Sequence, residues 1–103
     1  MSETKSYRAL SEFYPFYLSE HSSRTSRRLH FVGTSTALAL LIIAVATRMW
    51  WLVALGFMSG YAFAWAGHFF FEHNKPATFE YPWLSFLGDW LMWWEILTGK
   101  IPF

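Results

Sequence analysis

Residues 49–71 read MWWLVALGFMSGYAFAWAGHFFF and contain no Lys, Arg, Asp or Glu. About 20 mostly apolar residues are enough for a helix to cross the roughly 30 Å of hydrocarbon in a bilayer. A second apolar stretch lies just before this one, and Arg48 and Trp50 at the junction suit a turn at the headgroup layer. The sequence therefore predicts two membrane spans, residues 27–47 and 49–72, joined as a transmembrane hairpin.

The composition also indicates a membrane protein. Hydrophobic residues make up 54% and aromatic residues 22% of the chain, well above the values of soluble domains, whereas charged residues make up 15%. The length leaves room for a single membrane-embedded domain, residues 1–103. The net charge of +1, with no basic stripe among stacking aromatics, argues against a nucleic-acid partner. The absence of cysteine excludes disulfides and thiolate metal sites.

Amphipathic segments flank the two apolar stretches. Residues 7–21 mix aromatic and charged side chains, and residues 83–98 carry an apolar stripe with polar positions opposite. Such patterns predict helices that lie in the membrane interface. Within the second segment we expect Asp89 and Glu95 to mark the face that contacts water. The predicted fold class is thus an all-α membrane protein, a two-span hairpin flanked by interfacial amphipathic helices at both ends.

Basic residues are unevenly distributed about the hairpin. Five of the eight Lys and Arg residues precede the apolar part of the first span, whereas Arg48 stands alone at the turn. Because cytoplasmic segments carry the excess of basic residues, the asymmetry predicts that both termini lie in the cytoplasm. The expected location is the inner membrane of a bacterium, or the endoplasmic reticulum if the chain is eukaryotic.

Histidines and one glutamate are expected to meet at one side of the membrane. His68 and Glu72 are four residues apart at the end of the second span and so share one face of a helix. His30 begins the outgoing helix, and His21 lies just before the corner that leads into it. The hairpin returns the chain to this side. The residues expected at the cytoplasmic boundary are His21, His30, His68, Glu72 and, as a further candidate, His73.

Imidazole and carboxylate ligands without thiolate suit iron(II), zinc or manganese. Two histidines and one carboxylate with open positions form the oxygen-activating site of non-haem iron enzymes. Zinc hydrolases use similar ligands, so ligand type alone does not choose between these metals. For any one histidine taken alone, a structural role in the headgroup zone is the alternative.

Two other functions are compatible with the same residues. Two of the histidines could serve as axial ligands of a haem. The small residues Gly56, Gly60 and Ala64 recur every four positions, and such a stripe lets membrane helices approach closely. This stripe could pack within the hairpin, or it could pair copies of the chain as a homo-oligomer or a non-catalytic scaffold.

Several spacings resemble those of a known family, the fungal-type 2-hydroxy fatty acid dioxygenases, with this chain similar to their small bacterial-type members. The matching features are His21 followed nine positions later by His30, then Gly67-His68-x-x-x-Glu72, then Asn74-Lys75-Pro76-Ala77. The resemblance implies an Fe²⁺-dependent membrane enzyme of fatty acid α-oxidation. Such an enzyme uses dioxygen to shorten a 2-hydroxy fatty acid by one carbon.

The resemblance also implies roles for single residues. The family's shared histidines match His21, His30 and His68 as metal ligands, and its carboxylate matches Glu72, as a ligand or as a catalytic group that orients an imidazole. His73 is a departure, since similar proteins often carry Lys there. A cation near the site would neutralise the carboxylate of the substrate, and the candidates are Arg27, Arg28 and Lys75.

Overall fold

The computed structural model describes residues 7–103, and this part of the chain is all-helical, as the sequence predicts. Four α-helices are separated by short connections. They are α1 (Leu10–Ser19), α2 (Arg24–Thr47), α3 (Trp51–Gly67) and α4 (Pro82–Leu97), with a π-helical turn at His68–Glu72 and a 3₁₀ turn at Ala77–Phe79.

Two helical segments are long and apolar enough to cross a membrane, Arg24–Thr47 and Trp51–Glu72. Large apolar side chains on them point outward: Ile42 is 59% exposed, Met58 69% and Phe70 71%. Water solvates such a surface poorly, whereas hydrocarbon solvates it well. The structure is therefore compatible with the predicted association with a membrane.

α2 and α3 pack side by side in opposite directions. Ser26 at the start of α2 contacts Gly67 at the end of α3, and Ala37 further along α2 lies opposite Gly56. A Cβ atom on Gly56 would lie 3.2 Å from the backbone oxygen of Ala37, so a small residue is needed there. Gly56 and Gly60 of the small-residue stripe thus pack against α2 within the chain.

The closest approach of these helices is at Gly33, and we expect Gly33→Ala to destabilise the protein. A Cβ atom at this position would lie 2.6 Å from Cβ of Phe63 and 3.0 Å from the backbone oxygen of Gly60. Neither atom can move by a change of rotamer, so the helices must separate, at a cost of about 1–3 kcal/mol. Thermal unfolding in detergent would measure the loss.

Gly60→Ala is the matched control for this substitution. Its new Cβ would meet Cβ of Ala37 at 3.4 Å, which is an ordinary van der Waals contact. We expect this variant to unfold near the wild-type midpoint. Equal midpoints for the Gly33 and Gly60 variants would contradict the close packing described above.

Individual residues set the ends of the long helices. The side chain of Ser23 accepts a hydrogen bond from the backbone N–H of Ser26, so α2 begins at Arg24, before the expected start at residue 27. Arg48 ends α2 in the left-handed conformation, with φ of 59°. His73 ends the π-helical turn in the same way, with φ of 58°. Both positions stop a helix by turning the chain, as C-terminal caps do.

α1 and α4 pack against each other beside the long helices. α1 is shorter than the predicted segment 7–21 and continues through Pro15, whereas α4 nearly coincides with the predicted segment 83–98. The core between them is apolar and aromatic. Its buried residues are Phe13, Tyr17, Ala77, Met92 and Ile96.

α4 presents its polar side to α1, which corrects the expectation that this side faces water. The side chains of Asp89 and Glu95 are only 18% and 13% exposed. They accept hydrogen bonds from the hydroxyl groups of Tyr17 and Tyr14 in α1. Trp83, on the predicted apolar stripe, is 65% exposed. In a lipid environment the apolar side of a helix can face outward while its polar side is buried.

Candidate metal centre

Three of the four histidines lie together in the interior. His21 is at the corner between α1 and α2, His30 is in α2, and His68 is in the π-helical turn. The three residues are only 2%, 4% and 3% exposed. The centroid of the His21 ring lies 4.5 Å from that of His68 and 5.2 Å from that of His30. The structure thus brings together residues that are distant in the sequence.

The backbone of α1 fixes the tautomer of His21. Its Nδ1 lies 2.7 Å from the carbonyl oxygen of Tyr17. A carbonyl oxygen only accepts, so Nδ1 carries the proton and Nε2 carries a lone pair. Burial, and then the neighbouring His30 and His68, lower the pKa of His21 well below its usual range. Its Nε2 is buried and has no hydrogen-bond partner among residues 7–103.

Asn74 orients the ring of His68 in a similar way. The Nδ2 group of Asn74 donates to the carbonyl oxygen of Glu20 at 3.2 Å, which fixes the orientation of the amide. Oδ1 of Asn74 therefore faces Nδ1 of His68, at 2.8 Å. Because the amide oxygen only accepts, Nδ1 carries the proton and Nε2 of His68 is left with a lone pair. A polar group commonly holds the far nitrogen of a metal-binding histidine in this manner.

His30 contacts a carboxylate that the sequence did not single out. Its Nε2 lies 2.9 Å from Oδ1 of Asp89 and 3.2 Å from the hydroxyl of Tyr17. The Tyr17 hydroxyl donates to the same Asp89 oxygen at 2.5 Å. Burial, and then the charge of Asp89, raise the pKa of Tyr17 well above its usual range, so the hydroxyl keeps its proton. Asp89 is thus the acidic side chain in hydrogen-bond contact with the histidine cluster.

Glu72 binds the corner between α1 and α2. Its two oxygens accept hydrogen bonds from the hydroxyl of Ser22 at 3.0 Å and from the backbone N–H of Ser23 at 2.6 Å. Because Ser23 caps α2, these bonds fix the start of α2 relative to the end of α3. In this structure both oxygens of Glu72 hold the corner, whereas the sequence predicts a metal ligand or a group that orients an imidazole.

The other predicted site residues lie outside the cluster. His73 is exposed at the end of the π-helical turn. Arg27 donates to two backbone carbonyls at the corner, at 3.0 Å each. Arg28 donates to the backbone oxygen of Phe103 at 2.7 Å. The guanidinium groups thus bind the chain's own backbone, and Lys75 is exposed beside an outer groove.

Two cavities adjoin at His30 and Asp89. The smaller, which we call the chamber, encloses about 10 Å³ and is lined by all three buried histidines. That is close to the space one water molecule requires. The larger, which we call the cleft, encloses about 50 Å³ between α2, α3 and α4, and its walls are mainly apolar, with Phe57 and Trp90 among them. A polar chamber therefore lies at the end of an apolar cleft.

The donor atoms suit a metal ion, although within residues 7–103 no three His, Asp or Glu side chains converge closely enough to hold one as they stand. His21 Nε2 is buried and unpartnered. His30 Nε2 and Asp89 Oδ1 are 2.9 Å apart. This is a hydrogen-bond distance, and because the carboxylate only accepts, Nε2 of His30 carries the proton that a metal ion would displace. Imidazole and carboxylate are ligand types that iron(II), zinc and manganese accept.

The same geometry argues against a haem. A haem held by two axial histidines lies between their rings. Here the ring centroids are 4.5 Å and 5.2 Å apart, and the chamber that the three rings line encloses about 10 Å³. The helices would have to separate widely to admit a macrocycle.

Sequence reasoning missed three residues of this centre. Tyr17 could have been found, because it precedes His21 by four residues and so shares its helical face. Asn74 enters the sequence argument only as part of the motif Asn74-Lys75-Pro76-Ala77. Asp89 is the hardest of the three to predict from the sequence, because its partner His30 is 59 positions away. The pattern of its own helix also predicts that Asp89 faces water.

Fold and site together define a small all-helical protein with two membrane-length helices and a buried cluster of histidines. Over residues 7–101 its sequence matches the family described as 2-hydroxy-palmitic acid dioxygenase Mpo1-like, and the chain belongs to this family. The match confirms the family to which the histidine spacings pointed. No curated protein and no solved structure gives a significant match to the chain.

Proposed function

We propose that this protein is an Fe²⁺-dependent dioxygenase that uses dioxygen to shorten 2-hydroxy fatty acids by one carbon at a membrane. The observation that carries the proposal is the chamber of buried histidines at the end of an apolar cleft. Imidazole and carboxylate ligands suit an oxygen-activating iron, and the cleft suits a hydrocarbon chain. The description of the family names the same class of substrate and reaction.

His21, His30 and His68 would hold the metal. When bound, Fe²⁺ supplies the redox chemistry with dioxygen that no side chain of this protein provides. The protein contributes orientation: the backbone of Tyr17 holds Nδ1 of His21, and Asn74 holds Nδ1 of His68. Each contact leaves Nε2 for the metal. Groups that orient metal ligands in this way are worth about 10–100-fold in metal affinity.

We assign the carboxylate of this site to Asp89 in place of Glu72. Asp89 lines the chamber and lies next to His30, whereas both oxygens of Glu72 are engaged at the corner. We expect Asp89→Asn to weaken iron binding about 100-fold, because it removes an anionic ligand rather than a group that orients one. The amide can still accept the hydrogen bond from Tyr17. Iron content after anaerobic dialysis against graded chelator measures the change.

Glu72→Gln is the matched control for that experiment. The amide oxygen can still accept from Ser23, so the corner persists and we expect iron binding to stay within a fewfold of wild type. Loss of iron in the Glu72 variant together with retention in the Asp89 variant would reverse the assignment. Circular dichroism of both variants checks that the helices remain folded.

The substrate would lie with its polar head at the chamber and its chain along the cleft. Small side chains on one wall, at Ala37 and Gly60, leave room opposite Phe57 and Trp90. Each buried CH₂ group contributes about 0.8 kcal/mol to binding. The cleft encloses only part of a long acyl chain, so the remainder would extend into the bilayer.

The outward-facing apolar surfaces support an integral membrane position, and the excess of basic residues before the first span supports cytoplasmic termini. We expect single cysteines near Ser2 and at Gly99 to be labelled from the cytoplasmic side, and one at Arg48 from the opposite side, because the hairpin crosses the membrane twice. A membrane-impermeant thiol reagent on sealed vesicles measures this. Labelling of the positions near Ser2 and at Gly99 from opposite sides would mean an odd number of spans.

The direct test of the function is a metal analysis combined with an assay. Protein purified without oxygen should contain iron in about equal proportion to the chain. With 2-hydroxyhexadecanoic acid it should consume dioxygen and form the acid one carbon shorter, as measured by an oxygen electrode and mass spectrometry. An iron-loaded protein that forms no such product would contradict the proposal.

A further inference from the structure

Two more buried polar groups without a partner belong to residues around the chamber. Ser85 Oγ in α4 and Trp65 Nε1 in α3 are buried and make no hydrogen bond within residues 7–103. Both residues line the chamber, together with the unpartnered His21 Nε2. Ser85 is only 1% exposed. A buried polar group without a partner destabilises a protein, so three around one small space indicate that a polar ligand binds there.

From this we infer that Ser85 and Trp65 bind the head of a 2-hydroxy acid, its carboxylate and the adjacent hydroxyl. This inference rests on the proposed function and names the groups that recognise its substrate. The indole N–H of Trp65 only donates, and the Ser85 hydroxyl can donate or accept. A carboxylate offers acceptor oxygens to both, and the 2-hydroxyl group can donate to Ser85. The chamber has room for about one water-sized group, so the head would place one oxygen in the chamber and lie otherwise where the chamber adjoins the cleft at His30 and Asp89.

Asp89 is the one acidic side chain among the described residues that line the chamber, and we assign it to the metal. The residues around the chamber include no Lys or Arg among the part of the chain that the structure describes. Arg27 and Arg28 bind backbone oxygens instead. An acid bound at the chamber is therefore recognised by neutral donors, together with the metal, rather than by a guanidinium or ammonium group.

The indole of Trp65 is held in place by its neighbours. Its ring meets Phe79 edge to face, with centroids 5.2 Å apart, and packs against Tyr61 at 5.9 Å. On its other side Trp65 borders an outer apolar groove with Phe57 and Met58. Trp65 thus stands between the chamber and the lipid-facing surface of α3. A donor in this position can bind the polar head of a molecule whose chain lies in apolar surroundings.

The test measures binding of 2-hydroxyhexadecanoic acid to full-length, iron-loaded protein without oxygen, so that no reaction occurs. Ser85→Ala removes one donor with little change of shape, and Trp65→Phe removes the other donor together with part of the ring system. We expect each to weaken binding about tenfold or more, as judged by the ligand-induced shift of the unfolding midpoint. Without ligand the midpoint of Ser85→Ala should not fall, because the substitution removes an unsatisfied group.

Two control variants change the same residue types elsewhere. Ser26 is equally buried and its hydroxyl is also unpartnered, but it does not line the chamber. Trp93 Nε1 donates to Ser35. Ser26→Ala and Trp93→Phe should therefore bind the acid like wild type. The methyl ester of the acid should bind wild type more weakly, because esterification removes the negative charge of the head.

Wild-type affinity in both Ser85→Ala and Trp65→Phe would overturn the inference, and so would wild-type protein that does not bind the acid. A fall in the unliganded midpoint of Ser85→Ala, with no change in ligand affinity, would show a structural role and overturn it as well. If both donor variants lose affinity but wild-type protein turns over no acid when oxygen is supplied, the head site stands and the proposed dioxygenase function fails.

Discussion

His21→Ala is expected to abolish iron retention and turnover while leaving a helical protein. Nε2 of His21 is buried and unpartnered, so the ring is placed for a ligand more than for packing. Loss of groups that merely orient metal ligands costs about 10–100-fold in affinity, and loss of a ligand should therefore cost about 100-fold or more. The same holds for His30→Ala and His68→Ala. Iron content and dioxygen consumption of each purified variant measure the effect.

His73→Ala is the control for these substitutions. His73 is exposed and in the left-handed conformation, so its loss should leave iron content and turnover close to wild type. Full activity in any one of the His21, His30 or His68 variants would show that the replaced histidine is not a metal ligand. Circular dichroism distinguishes loss of the metal from loss of the fold.

The sequence predicted the long helices and the gathering of three histidines for physical reasons. Two stretches too apolar for a water-facing surface had to be helices, because no other single segment satisfies its backbone within a membrane. A tight turn at Arg48 then returns His68 toward His30, which is near the start of the first long helix. The corner before that helix allows His21 to approach both. These arguments need only spacing and polarity.

The place of Glu72 could not be predicted, because it depends on the type of helix. In an α-helix, positions four apart share one face, which would align Glu72 with His68. The chain forms a π-helical turn over His68–Glu72 instead, and the backbone N–H of Asn74 bonds to the carbonyl of His68. The wider turn changes the angle between successive side chains. Glu72 is thereby directed to the corner at Ser23.

The contact of Asp89 with His30 could not be predicted, because the sequence argument assumes that the polar side of this helix faces water. In a water-soluble helix the polar side faces outward, and the pattern of residues 83–98 was interpreted in that way. In lipid the surroundings are apolar, so Trp83 can face outward while Asp89 is turned toward His30. Periodicity gives the two sides of a helix but does not say which one is buried. Only the packing of α4 against α1 decides this.

A 2-hydroxy fatty acid should react far faster than the fatty acid of the same length without the hydroxyl group. Both acids bury the same chain, and each CH₂ group contributes about 0.8 kcal/mol to both alike. Only the head of the 2-hydroxy acid presents two adjacent oxygen-containing groups, the carboxylate and the 2-hydroxyl, to the metal site. Sites built to bind a hydroxyl group reject an analogue that lacks it by about 10⁴-fold in the specificity constant. We therefore expect hexadecanoic acid to bind but to give no shortened product.

The comparison requires the two acids at equal concentration in the same detergent, with dioxygen consumption and product mass followed together. A racemic 2-hydroxy acid shows whether one enantiomer remains, as expected if the carboxylate, the hydroxyl group and the chain are all held, because three contacts distinguish enantiomers. Equal turnover of both acids would mean that the hydroxyl group is not recognised, and would indicate a hydroxylase or desaturase. Because chain burial is the same for both acids, any difference in rate between them must arise at the polar head, where the histidine cluster and Asp89 lie.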